Sequence, residues 1–293
     1  MTYFAPVCRQ ALRERGLKGF WAGYFAGRAA PLGSVGAGPA TAAFFNFHPH
    51  MVQAAVPHCW DVVDPAEVVV LRALAASVAL RELCPADALD ALLGSLSRLR
   101  EAASHCDGAG RIMTGANRAV WAAVVPGLRS RHLGEDDQAV AEAWQCCTTL
   151  REHRGDGHVA ALVAHGLDGV GAHLLAVAAL GVPAEVLRDN RGWSEAEWEG
   201  AAGRLVDMGL LEPHATASAT SQGLVVHRSL EALTDRLAES PYATLSDGAV
   251  SGLHGALVGC ARAIQSSGLY PFPNPMGLPR LPDEVEALGA AEG

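Results

Sequence analysis

The sequence predicts a mainly α-helical protein, and three observations carry that expectation. Alanine, leucine and valine recur at spacings of three and four along six segments, period-two alternation is scarce, and helix start signals sit where those segments begin. Spacings of three and four line one face of a helix, whereas alternation lines one face of a strand.

In chain order, the segment 66–82 follows Asp64-Pro65, a cap acceptor and then a residue whose missing N–H costs nothing in a first turn. The segment 85–104 begins at Pro85. Segments 136–152 and 158–180 flank a polar run, and 194–210 opens on Ser194 with Glu197 three residues later, a capping box. The segment 227–239 is the last. Within the second half, a helix near 170–180 stops at Gly181-Val182-Pro183, a short helix 183–189 follows, and Gly192-Trp193-Ser194 turns into the capped helix. After Met208-Gly209-Leu210-Leu211, a small, polar stretch from Glu212 to Gly223 reads as a hairpin. Helix, helix, capped helix, short strand and hairpin is the order of a winged helix-turn-helix.

At 293 residues, 50% hydrophobic and 18% charged, the chain exceeds what a single core usually fills. A weak internal duplication sets Arg13–Gly19 over Arg151–Gly157 and Trp60–Glu67 over Trp193–Glu199. The expectation is therefore two related winged-helix-like modules packed together, each with a small β-hairpin wing. Residues 1–104 form the N-terminal module, 105–135 an irregular connection, 136–240 the C-terminal module, and 241–293 a helix with a proline-rich tail.

Formal net charge is −9 with a pI near 5.7, so the overall field repels polyanions and makes nucleic acid a poor default partner. Seven cysteines without a C-x-x-C pair read as reduced thiols. The N-terminus lacks the basic start and apolar core of a signal peptide, and no uncharged run is long enough to cross a bilayer, so the reading is cytoplasmic with no membrane partner.

The feature pointing most directly to function is Arg151-Glu152-His153-Arg154-Gly155-Asp156-Gly157-His158, six ionisable groups between apolar helical flanks. Charged groups beside an apolar segment are solvated, paired or engaged with a ligand. On one continuous helix, Arg151, Arg154, His158 and His165 share a sector, while Glu152, His153 and Asp156 lie opposite. The alternative is an exposed helix with a local Glu/Arg pair. A second cluster surrounds Gly19, Gly23 and Gly27, a ridge without side chains flanked by Trp21, Tyr24, Phe25 and Arg28 and followed by Phe44-Phe45-Asn46-Phe47-His48-Pro49-His50. It reads either as ordinary core or as a pocket for a flat ligand anchored by Arg28 and His48.

The segments TYFAP, GFWAGYFAGRAAPLG, FFNFHPHMV and LREHRGDGHVAAL together resemble an actinobacterial group of helix-turn-helix family proteins, over roughly residues 2–240. The resemblance implies two related winged-helix-like halves and, more than any activity, a fold. Its motif positions fall on Arg28, Asn46, His48, Pro49, Glu152, His153, Arg154, Asp156 and His158; His50 and His165 have no counterpart. The pattern also has a helix ahead of TYFAP that this sequence does not show.

Three functions compete. In the first, Arg28, Asn46 and His48 face Glu152, His153, Arg154 and His158 across an interdomain cleft that binds an organic small molecule, stacked on Trp21, Tyr24 and Phe47. Such a protein would be a sensor, carrier or sequestering protein, plausibly of specialised metabolism. In the second, the same pocket is catalytic without a metal: His158 or His48 is general base, Asp156 or Glu152 orients it, and Arg154 or Arg28 stabilises an oxyanion. In the third, the chain is a DNA-binding regulator, although the expected recognition helix carries Glu195, Glu197, Glu199 and Asp207 against Arg204 alone. No cofactor is predicted; the alternative is haem or a divalent metal held by His48, His153 or His158, although the spacings of two (His48 and His50) and five (His153 and His158) are not those of ligands on one helical face. A homodimer is compatible with all three readings.

Overall fold

The computed structural model describes residues 4–129, 134–213, 218–274 and 280–281. Thr2 and Tyr3, the Ser130-Arg131-His132 run of the expected connection, and nearly all of the proline-rich tail beyond Asn274 lie outside the described residues.

The chain is helical as expected. Helices α1 (Pro6–Glu14), α2 (Phe20–Ala29), α3 (Ala37–Ala43), α4 (Pro49–Gln53), α5 (Pro65–Leu83), α6 (Ala86–Gly94) and α7 (Leu96–Ser104) make up the first part. Then come α8 (Ile112–Arg129), α9 (Glu135–Ala164), α10 (Gly169–Leu180), α11 (Ala184–Arg191), α12 (Glu195–Asp207), α13 (Ser221–Glu239) and α14 (Asp247–Ser266). The start signals act as read: Asp64 Oδ1 accepts the Ala66 N–H at 2.7 Å, and Ser194 and Glu197 complete a reciprocal capping box.

Two apolar cores result. One gathers α1 to α9 and includes Phe25, Phe44, Leu99, Met113 and Trp144; the other gathers the end of α9 with α10 to α13 and includes Leu162, Leu174, Leu175, Trp198 and Leu211. Helix α9, roughly 45 Å long at the helical rise per residue, belongs to both, with Val140 to Cys146 in the first core and Ala161 and Leu162 in the second. The charged run thus occupies the stretch between two cores on one rigid rod.

Several expectations are corrected. The segment 105–135 is not an irregular connection: Ile112–Arg129 is a helix packed along α9. The helix in 241–293 is no appendage, because Leu253 and Cys260 of α14 lie in the first core, against α5, α6 and α7. The β-hairpin wings are absent among the described residues; the expected C-terminal one is a single antiparallel bridge, Leu211 with Ala219. Gly209 turns the chain at φ 71°, and the bridge is flanked by Thr220 N–H donating to the Leu210 carbonyl and Glu212 N–H donating to the Ser218 carbonyl, each at 3.0 Å. Nor do the halves repeat where the sequence aligned: Gly16 and Gly19 adopt φ of 93° and 86° after α1, whereas Gly155 and Gly157 sit inside α9.

Those two glycines do not break α9 because packing needs one of them. A Cβ at Gly157 would lie 3.1 Å from Leu237 Cβ and 3.1 Å from Arg111 Nη1. Helix α13 crosses α9 at this point, and Arg111 fastens the crossing by donating to the carbonyls of His153 at 2.7 Å and Leu237 at 3.0 Å. The cost of a helical glycine, about 1 kcal/mol, falls where a Cβ would be tight against both neighbours.

The motif FFNFH joins the cores. Phe44 and Phe47 belong to the first, and Phe45 packs on the second. The Asn46 carbonyl accepts from His173 Nε2 at 3.0 Å and from Trp193 Nε1 at 3.3 Å, and the His48 N–H donates to the Arg191 carbonyl at 2.8 Å. A Cβ at Gly169 would stand 2.2 Å from the Phe45 carbonyl oxygen, so backbone meets backbone there. Among the described residues, no single helix is long and apolar enough to cross a membrane.

Candidate functional site

The ionisable run radiates to three neighbours. Glu152, 4% exposed, meets α2: Arg28 Nη2 donates to its two carboxylate oxygens at 2.9 and 3.2 Å, and Arg151 Nη1 adds a contact of 2.6 Å. Burial alone raises the Glu152 carboxyl, but Arg28 and Arg151 outweigh it and hold the group below its ordinary range. The Arg28 guanidinium lies 4.9 Å from the centre of the Phe44 ring, and its Nη1 donates to the Tyr24 hydroxyl, one turn earlier on α2, at 3.2 Å.

Tyr24 is the centre of this cluster. Burial raises its phenol, yet Arg28, Arg191 and Arg151 together bring it below the usual tyrosine value. Arg191, at the end of α11 and 8% exposed, stacks 4.2 Å from the Phe47 ring centre. Burial weakens its hold on the proton and Tyr24 opposes that effect. From the far end of the chain, Tyr270 packs 5.3 Å from Phe4, and burial raises its phenol to about 12. Three guanidiniums from α2, α9 and α11 therefore surround one tyrosine and one carboxylate.

The other members of the run turn elsewhere. Asp156 serves α8, accepting from Thr114 N at 2.8 Å, Thr114 Oγ1 at 2.7 Å and Met113 N at 3.4 Å. Arg154 pairs with Glu231 and Asp235 on α13, half exposed. His158 Nδ1 lies 3.0 Å from Thr234 Oγ1; that hydroxyl donates its only proton to the Leu230 carbonyl, so His158 must donate to Thr234. Burial lowers the His158 pKa, opposed by Glu231 and helped by Arg154 and His227. His153 is buried against Ser240 at 3.3 Å, and burial and Arg111 lower its pKa.

His48 caps α4 through Nδ1, which accepts the His50 N–H, and its Nε2 donates to Glu197 at 2.8 Å. Both ring nitrogens are thereby engaged, Nδ1 in capping α4 and Nε2 in joining it to the start of α12. Glu197 is lowered to about 2 by Ser194 and then His48. Asn46 contributes its carbonyl to the junction, while its side-chain oxygen is buried without a partner among the described residues. Trp21 and Phe47 meet edge to face, 5.8 Å between centres, and both pack on Phe25. Of the predicted site, then, Arg28, Tyr24 and Glu152 come together, with Trp21 and Phe47 against Tyr24, whereas His48 serves α12, Asp156 serves α8, and Arg154 and His158 both serve α13.

What opens beside the cluster is not an interdomain cleft but a cavity of 630 Å³ between α1, α2 and α5, lined by Arg9, Arg13, Phe20, Gly23, Tyr24 and Arg72 among others. Arg72, 3% exposed, donates to the Gly27 carbonyl at 2.9 Å, Asn117 Oδ1 at 3.0 Å and Gln145 Oε1 at 3.1 Å. Arg72 and Arg191 were missed in the sequence reading. A lone arginine in Val68-Val69-Val70-Leu71-Arg72-Ala73-Leu74 was the available signal, because a charge in an apolar helix demands partners. Arg191, beside the α11–α12 turn, carried no such mark. Among the described residues, no three His, Cys, Asp or Glu side chains gather as a metal site.

A helix followed by a tight turn and a capped second helix, α11 to α12 on α10, is a helix-turn-helix arrangement. The model of a helix-turn-helix family matches residues 1–271, and the chain belongs to that family. No curated protein and no solved structure matches it.

Proposed function

We propose that this protein binds an organic anion in the cavity between α1, α2 and α5, using its helix-turn-helix scaffold as a binding module. The observation that carries the reading is the meeting of that cavity with the guanidinium-surrounded Tyr24. A volume of 630 Å³ suits a ligand of moderate size. Its lining combines Leu12, Leu17 and Phe20 with Arg9, Arg13 and Arg72 against Glu14, so the wall is apolar with an excess of positive charge. A phenol shifted toward acidity is a strong hydrogen-bond donor to an anionic oxygen. Arg28 and Glu152 act in this reading as positioning residues that hold Tyr24 and the α2–α9 contact.

The test is native mass spectrometry of protein purified without added ligand, followed by calorimetric titration with the compound retained. The retained mass is expected to disappear in Gly23→Leu, whose Cβ already meets Leu12 at 3.4 Å and whose remaining atoms fill the α1–α2 space. Tyr24→Phe should weaken binding at least tenfold. An undiminished retained mass in Gly23→Leu would overturn the proposal.

Family membership supports a second reading, a DNA-binding regulator. Against it stands the exposed face of α12, where Glu195, Glu197, Glu199 and Asp207 accumulate and Arg204 is paired with Asp168 at 2.6 Å. A helix so charged adds repulsion toward phosphates instead of counterion release. A gel shift with genomic fragments at low salt separates the readings: a salt-dependent shift would establish the regulator.

A further inference from the structure

A second cavity, of 320 Å³, lies between α7, α8 and α9 and shares no lining residue with the first. Its lining is Arg100, Ala103 and Ser104 of α7, Arg118 and Trp121 of α8, and Glu142 and Thr149 of α9. We propose that it is a second ligand site, for a small planar aromatic carboxylate stacked on Trp121 and neutralised by Arg118.

Three features of the lining define that ligand. Two guanidiniums face one carboxylate, and Arg100 is largely committed: its Nε donates to Glu142 Oε1 at 2.7 Å, and the pair is bidentate. That leaves Arg118, an exposed side chain with no carboxylate partner among the described residues, as the second positive charge of the lining. It spends one N–H on the Cys106 carbonyl at 2.7 Å, which fixes the side chain while the rest of its five-donor fork remains for a carboxylate. The local balance of two positive groups and one negative therefore matches a monoanion. Trp121 is half-buried and shares the lining with the buried Ala103, so an indole and a methyl group supply apolar surface for a flat ring. The volume is at the lower end of ligand sites, which limits the occupant to one or two rings.

The site also abuts the buried polar chain of the first core. Thr149 Oγ1 stands 3.4 Å from Gln145 Nε2, and Gln145 Oε1 accepts from Arg72, whose side chain lines the first cavity. An occupant touching Thr149 is two hydrogen bonds from that arginine.

Isothermal titration with benzoate and with 2-naphthoate tests the assignment on the full chain. One site is expected whose affinity falls at least tenfold in Arg118→Gln and in Trp121→Leu. Arg118→Lys should recover part of the benzoate affinity, since the charge is kept and the fork is lost. Circular dichroism melts establish that each variant is folded. The two cavities share no lining residue, so Gly23→Leu should leave this binding unchanged. Carboxylate binding that Gly23→Leu removes and Arg118→Gln spares would assign the ligand to the first cavity and overturn this proposal. The absence of benzoate and naphthoate binding at millimolar concentration by the folded wild-type chain would overturn it as well.

Discussion

Replacing Glu152 by glutamine removes a carboxylate that Arg28 and Arg151 share while keeping the size of the side chain. The Arg28 and Glu152 side chains are 12% and 6% exposed, so their pairing is little screened. Removing one partner of a buried ion pair costs about 3–5 kcal/mol, because the other charge stays behind in a poor solvent for it. Arg151 is 47% exposed and solvent takes over most of its share, which points to the lower end, about 3 kcal/mol. For a chain of this length each kcal/mol moves Tm by roughly 2 °C, giving a fall of about 6 °C at pH 7. The direction of the pH dependence follows from the lowered carboxyl. A group with a folded pKa below its unfolded value of 4.5 adds stability that is complete above 4.5 and is lost as pH falls through the folded value. The difference in Tm between wild type and Glu152→Gln, followed by circular dichroism, should therefore be constant at neutral pH and shrink below 4.5. Equal melting at pH 7, or a difference that does not narrow in acid, would refute the claim that this pair holds α2 to α9.

Asp156→Ala should cost about 1–2 kcal/mol in urea unfolding, the usual loss for a helix cap, because it strips acceptors from the first turn of α8; an Asp156→Ala chain as stable as wild type would dismiss that role. His173 is held neutral by burial, with its pKa lowered to about 3, and donates to the Asn46 carbonyl. Its folded pKa lies below the unfolded 6.5, so the stability it supports is complete above 6.5 and falls by up to about 1.4 kcal/mol per pH unit as pH drops toward 3. His173→Gln, which keeps a donor without the titration, should flatten that slope between pH 6 and 4 in urea titrations, and an unaltered slope would remove His173 from the account.

The helical character of the chain was legible because periodicity and caps are local: Asp64, Ser194 and the apolar spacings act within one or two turns. The pairing of Arg28 with Glu152 was half legible, as a charge run and an arginine-bearing aromatic ridge, without the geometry that joins residues 124 positions apart. Sequence misread 105–135 because its small and polar residues have no strong period of their own, and packing against α9 supplies the stability that makes α8 a helix. It misread the wing because a bridge and a hairpin begin with the same turn residues. The divergence of Asp156, Arg154 and His158 to α8 and α13 depends on which helices α9 meets on each face. Local chemistry decided the elements and the chance of a buried ionic cluster; tertiary structure decided its membership, because a charge run names donors and acceptors but only the packing of distant helices chooses the partners that desolvate them.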